Sequence, residues 1–366
     1  MKLFLPILLL LASAGAQPQA GAPAHATQEK SEGWQKVNVA TSAGFRGLSV
    51  VSEKVVWASG TEGTVIRTLD GGKNWDVMIV PGAEKLDFRG IKAFDDKTAV
   101  VISSGPAEQG QARIYRTADG GKNWKQVFEE KRAGIFFDAV AFWDAQHGIV
   151  LSDPIEGKFA LFTTDDGGVT WKQLPPSAAP GALPAALPNE GAFAASNSCL
   201  VVQGNSNVWF ATGGAKVARV FRSNDRGKTW EVAETPMHPA NASSGIFSLA
   251  FEGQQYGIAV GGDYQKPEGS DLPNVLRTED GGKTWMVETT NPAGMYLSSV
   301  AFVWHPGKDS LIAAGTKGLL HSLGGGSLRS KQSDENLNAV DGTGHDVVLG
   351  WWAVGPKGLV LRKTKD

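Results

Sequence analysis

Thr68-Leu69-Asp70-Gly71-Gly72-Lys73-Asn74-Trp75 is followed by four more copies of the same eight-residue pattern, at 117–124, 164–171, 223–230 and 278–285. Five copies in one chain exclude chance. Their aspartates, Asp70, Asp119, Asp166, Asp225 and Asp280, lie 49, 47, 59 and 55 residues apart. A period of that length suits one four-stranded propeller blade per repeat.

Upstream of the first copy run Phe45-Arg46-Gly47-Leu48-Ser49-Val50-Val51, then Val55-Val56-Trp57-Ala58, then Thr64-Val65-Ile66-Arg67; Trp75 to Val80 follows the box. These are four short strands, rich in β-branched and aromatic residues, with turn formers between them. The start of the inner strand recurs at Phe88, Phe137, Phe193, Phe247, Leu297 and Leu337. Seven starts predict an all-β, seven-bladed propeller. The sixth box has decayed: Ser322-Leu323-Gly324-Gly325-Gly326 keeps the turn and loses the Asp and Trp. The chain ends in Thr364-Lys365-Asp366, half a box, and Gly33-Trp34-Gln35-Lys36-Val37 resembles the strand after the second box. The N-terminal strand is therefore expected to complete the last blade, which closes the ring and leaves no open seam.

The 366 residues include 35 basic and 37 acidic ones, a formal charge of -2. That balance argues against a nucleic-acid partner, which calls for a basic excess clustered on one face. Residues 1–16 read as a signal peptide: Lys2, the apolar run Leu3 to Leu11, and the small residues Ala14-Gly15-Ala16. The run is too short for a membrane span. Residues 17–32 read as a flexible leader and 33–366 as the propeller. An exported chain is expected, periplasmic or secreted, and in the thylakoid lumen only if the host is photosynthetic. A monomer is expected. Cys199, the single cysteine, sits in an apolar run and reads as a buried small hydrophobe.

A box Asp can accept hydrogen bonds from the N–H groups of its own turn, paired glycines permit positive φ, and the Trp is an apolar anchor. The boxes thus read as structural staples. The pattern resembles the Asp-box (BNR) repeat of sialidases and other β-propellers. Across about 33–366 the chain looks most like the photosystem II stability/assembly factor family. Segments such as Gly261-Gly262-Asp263-Tyr264 look closer to a bacterial branch of it. The resemblance implies a non-catalytic factor that docks a protein.

Turns between strands one and two, together with the boxes, should share one face of the ring. The long segments Ser103 to Ala112, Leu174 to Ala192, Thr235 to Gly245 and Gly261 to Asn274 should share the other. Insertions gathered on one face of a repeat array mark its working face. Arg46, Arg89 and Asp138 occupy the same position in three consecutive blades and should be neighbours at the channel mouth. Asp153, Glu156, Glu190, Asp263 and Tyr264 are expected there too. The binding candidates are Arg46, Arg89, Asp138, Asp153, Asp263 and Tyr264. Arginine suits bidentate carboxylate recognition, so an acidic protein segment or an acidic glycan is the expected partner.

The alternative is a glycosidase or glycan binder at the same mouth. A glycosidase needs two carboxyl groups a few ångströms apart, and Asp138, Asp153, Glu156 and Asp263, with Tyr264, are the catalytic candidates. A sialidase would carry an Arg-Ile-Pro near the first blade, where this chain has Phe45-Arg46-Gly47-Leu48. The six His show no metal-ligand spacing, and no phosphate loop or dinucleotide fingerprint is present. Neither metal nor cofactor is expected.

Overall fold

The computed structural model describes residues 33–175, 181–239, 241–269, 272–288, 295–305, 308–323, 328, 330–342 and 350–363. The proposed signal and leader, most of the decayed sixth box and the half box at 364–366 lie outside these residues.

Among the described residues, twenty-eight strands form seven antiparallel four-stranded sheets. Blade 1 shows how the sequence makes one. Phe45–Val50, Val56–Gly60, Thr64–Thr68 and Asp76–Ile79 run from the channel outward. The three inner strands are mostly buried and the outer one is mostly exposed. Blades 2 to 6 begin with Phe88–Ala93, Phe137–Phe142, Leu200–Gln203, Ser244–Glu252 and Ser299–His305. Blade 7 is built from Ala339–Asp341, Trp352–Val354, Val360–Lys363 and, from the other end of the chain, Trp34–Val37. Trp34 pairs with Lys363 and Val37 with Val360, so the expected closure is present.

The core is divided into seven clusters between blades and a smaller eighth around Ala195, Phe247 and Tyr296. Each of the seven draws side chains from two adjacent blades, and one of them joins Phe45 and Ile66 of blade 1 to Trp352 and Val354 of blade 7. Sheets that bury both faces against neighbours in a closed ring leave only the outer edges to solvent.

The boxes act within and between blades. Thr68 donates to Asp70 Oδ1 (2.9 Å), and that oxygen accepts from the N–H groups of Lys73 and Asn74 at 2.9 Å each. The same net recurs around Asp119, Asp166, Asp225 and Asp280. Gly72 has φ +86°, and a Cβ there would lie 2.4 Å from the ring of Trp352 in the preceding blade. Only glycine allows both the turn and that approach. At the fourth box Arg226 takes the left-handed conformation in place of a glycine. Its guanidinium is held by Asn205 O at 2.6 Å and lies over the Trp143 ring.

Two expectations about segments need correction. Phe193 does not begin an inner strand; blade 4 starts at Leu200, seven residues later. The segment from Leu174 to Ala192 is not confined to the mouth face. Its described part reaches the fourth box, where Trp230 N–H donates to Gly181 O (2.7 Å), and returns to the hairpin of blade 3, where Ala186 N–H donates to Gly157 O (2.8 Å).

Candidate binding site at the channel mouth

The inner strands of blades 1, 2, 3 and 5 share an irregularity. Pairing with the second strand skips one residue between Phe45 and Gly47, Phe88 and Gly90, Phe137 and Ala139, and Ile246 and Ser248. The skipped residues are Arg46, Arg89, Asp138 and Phe247. A bulge frees one residue from the ladder and re-aims its side chain. Asp153 is skipped in the same way between Ser152 and Pro154 of blade 3. The equivalence of Arg46, Arg89 and Asp138 is therefore a repeated backbone device.

These residues converge on a plug. In blade 4 the segment Phe193 to Ser198 replaces the expected strand start and crosses the channel axis. Asn197 Oδ1 accepts from Val140 N–H of blade 3 (2.8 Å), and its Nδ2 donates to Val140 O (3.1 Å) and to Ile91 O of blade 2 (3.4 Å). Ser196 Oγ donates to Ser298 O of blade 6 (2.7 Å), and Ser198 Oγ lies 2.7 Å from Ser248 Oγ of blade 5. A segment that touches blades 2, 3, 5 and 6 can only lie across the centre of the ring. Asn197 adopts φ +68° to do so. Gly90 leaves the space, since a Cβ there would stand 2.4 Å from Asn197 Oδ1. The segment thus bridges the channel between these blades.

Charge is uneven around the recess. Arg89 donates from Nε to Asp87 Oδ2 (2.7 Å) and from Nη1 to Ala194 O of the plug (3.4 Å). Arg46 is half-buried and makes no hydrogen bond or ion pair among the described residues. Its burial and the nearby Arg89 charge lower its affinity for its proton. On the blade 3 side Asp138 is 1% exposed, and its Oδ2 has no partner among the described residues. Burial, and then the neighbouring Asp153, raise its carboxyl well above the usual range, against the pull of Arg89. Asp153 accepts from Ala192 N–H (3.0 Å), and burial pushes it up to about 6. Cys199 is buried beside the two carboxyl groups, and burial, with their charge, raises its thiol well above the ordinary value.

The remaining candidates divide. Asp263 is buried and accepts from Ser243 Oγ (2.6 Å), Asn241 Nδ2 (3.1 Å) and Gln265 N–H (2.9 Å). Those bonds outweigh its burial and lower its pKa; it ties the Thr235 to Gly245 segment to the Gly261 to Asn274 segment. Tyr264 is 49% exposed and stands beside Phe247 and Tyr296. Glu156 is exposed at a hairpin tip and borders a separate cleft of about 410 Å3 between blades 3 and 4, with Lys158 and Trp230. Glu190 is buried against Arg219 Nε (2.8 Å) and Nη2 and accepts from Thr212 Oγ1 (2.6 Å); its oxygens are committed to holding the long segment. Phe193 and Phe247 were read in the sequence only as strand starts, and Tyr296 was not singled out. Asn197 between two serines, where a strand was expected, was the available signal. Among the described residues no group of three or more His, Cys, Asp and Glu is placed to hold a metal ion. Nor is any helix of these residues long and apolar enough to cross a membrane.

The family model for the photosynthesis system II assembly factor YCF48 matches residues 26–133, and the BNR-Asp box repeat model matches 220–232. The chain is an Asp-box β-propeller similar to the YCF48 assembly factors. No curated protein matches it. Among solved structures, YCF48 bound to D1 peptide is similar at a TM-score of 0.59 and 16% identity, over 92% of this chain and 98% of that one. YCF48 from Cyanidioschyzon merolae gives 0.59 and 16%, over 90% and 98%. An ancestral GH74 enzyme gives 0.57 and 13%, over 89% of this chain and 45% of that one. At such identities the likeness to these structures is one of fold.

Proposed function

We propose that this chain is an exported, non-catalytic propeller that docks a protein partner at its channel mouth, as an assembly factor does. The observation that carries the reading is the repeated bulge. Four blades present Arg46, Arg89, Asp138 and Phe247 from one backbone position, and the plug bridges the channel between blades. The box face presents short turns whose polar groups are spent on one another. The likeness to a YCF48 structure with a D1 peptide bound supports a protein ligand. Export rests on residues 1–16, and a periplasmic or secreted location follows from it.

The test compares a double Arg46→Ala, Arg89→Ala variant with a Lys73→Ala variant on the box face. Each is expressed tagged in the native host and checked by thermal denaturation. The partner that co-purifies with the unaltered chain should be lost from the first and retained by the second. Loss from the box-face variant alone would reverse the faces and defeat the reading.

A catalytic reading has one observation in its favour, the neighbouring carboxyls of Asp138 and Asp153 with their raised proton affinities. Asp263 does not join them, because its oxygens are taken up by Ser243, Asn241 and Gln265. Turnover of a glycoside that vanishes in Asp138→Asn would establish this second reading.

A further inference from the structure

The mouth has an aromatic half as well as a charged one. Phe193 of the plug stacks on Phe247 at 3.8 Å between centroids with the rings 11° from parallel. Tyr296 meets Phe247 edge-on at 4.8 Å, and Tyr264 stands 6.2 Å from Phe247. Phe247 and Tyr296 are buried, Phe193 is half-buried and Tyr264 is exposed. The first pair supports a shelf that the second pair presents to solvent. A further aromatic ring can join such a cluster edge-on or offset, as Tyr296 and Tyr264 meet Phe247 edge-on.

The two halves adjoin. Arg46 lies near the uncharged Tyr296 phenol. Arg89 holds the carbonyl of Ala194, the residue after Phe193. Of the two arginines, Arg89 already has Asp87, whereas Arg46 has no ion-pair partner among the described residues. A half-buried guanidinium beside a like charge is stabilised by an incoming carboxylate, and the guanidinium fork can bind it bidentately.

Resting on the docking reading above, we propose that the mouth recognises an acidic-aromatic motif in an extended segment of the partner. An Asp or Glu carboxylate is received by Arg46. An aromatic side chain two residues away, on the same face of the extended segment, is received by Phe193 and Tyr264. An extended chain advances about 3.3 Å per residue with side chains alternating between its faces, so residues i and i+2 are presented to the mouth together. Neither half suffices: the charge gives register, and the apolar ring on the shelf supplies the buried anchor that dominates such interfaces.

The test uses immobilised peptides in a Gly-Ser frame carrying the pairs Asp-Phe, Asn-Phe, Asp-Ala or Asn-Ala with one Gly between the two positions, probed with the labelled full chain. Asp-Phe should bind about tenfold or more better than either single-feature peptide, roughly 1.4 kcal/mol. Arg46→Ala should bring Asp-Phe down to the Asn-Phe level without altering Asn-Phe. Tyr264→Ala, at an exposed position, should bring it down to the Asp-Ala level with an unchanged melting temperature. Equal binding of Asp-Phe and Asp-Ala, both lost in Arg46→Ala, overturns the motif and leaves the docking reading intact. Signals no better than Asn-Ala, while the host partner still depends on Arg46 and Arg89, overturn the motif alone. Loss of both dependences overturns the docking reading as well.

Discussion

Asp138 is 1% exposed, and one of its carboxyl oxygens has no hydrogen-bond partner among the described residues. A buried polar group left in that state costs about 1–3 kcal/mol, so the position trades stability for something other than the fold. The pH dependence follows from the direction of the shifts. Asp153 rises from the ordinary carboxylate value near 4 to about 6, and Asp138 rises too. The folded state then holds its protons more tightly than the unfolded one. For Asp153 the contribution is fully present below about pH 4 and is lost as pH rises through about 6; that of Asp138 is lost in the same direction as pH rises. Asp138→Asn should therefore raise the melting temperature at pH 7.5 and raise it less at pH 5. A gain equal at both values contradicts the titration account.

The box residues carry the opposite sign. Hydrogen bonds within the turn, chiefly from Thr170, hold Asp166 down at about 2 despite its partial burial. Its contribution is present above about pH 4 and is lost as pH falls toward 2. Asp166→Ala should destabilise the protein at pH 7, with the difference fading below pH 3 in a denaturant titration. Trp171 lies in the cluster between blades 2 and 3 at 8% exposure. Trp171→Ala should cost about 3–5 kcal/mol and leave peptide binding at the mouth unchanged in the folded fraction.

Among the elements, the plug was the part that the sequence hid. Phe193-Ala194-Ala195 has the apolar opening of an inner strand, and nothing local distinguishes it from Phe137-Asp138-Ala139. What diverts it is long-range: Ser298 of blade 6, Val140 of blade 3 and Ile91 of blade 2 offer partners only once the ring exists. By contrast, the adjacency of Arg46 and Arg89 was legible, because equivalent positions in consecutive blades must be neighbours. Asp263 ties two loop segments together through its hydrogen bonds, a role that looks like a binding role in one sequence. The plug is expected to be a firm element. Asn197→Gly keeps the left-handed backbone permissible but removes three side-chain bonds, so it should cost about 1–3 kcal/mol and weaken binding at the mouth. Unchanged binding would show that the plug does not shape the site. Glu190→Ala leaves Arg219 buried without its partner; a loss of about 3–5 kcal/mol is expected from the penalty on an unpaired buried charge.

At the scale of the whole molecule, the repeat made the fold readable. Five boxes gave the period, the inner-strand starts gave the blade count, and Trp34 after Gly33 pointed to closure by the N-terminal strand. The ring is continuous because every blade interface carries its own apolar cluster, the one between blades 7 and 1 included. Removing residues 31–37 should strip the outer strand from blade 7, expose Trp351 and Leu361, and lower the melting temperature sharply. Removing 17–30 should change it little. Equal melting temperatures would refute the closure.

Function on such a ring is set by which face meets the partner, and site-directed photo-crosslinking resolves the faces most directly. A photoreactive residue is placed at Tyr264 in the mouth or at Asn74 on the box face, each in the full chain in its own host. One discrete crosslinked protein is expected from position 264, absent when Arg46→Ala and Arg89→Ala are added, with none from position 74. The same product from position 74, or a product from 264 indifferent to both arginines, would contradict docking at the mouth.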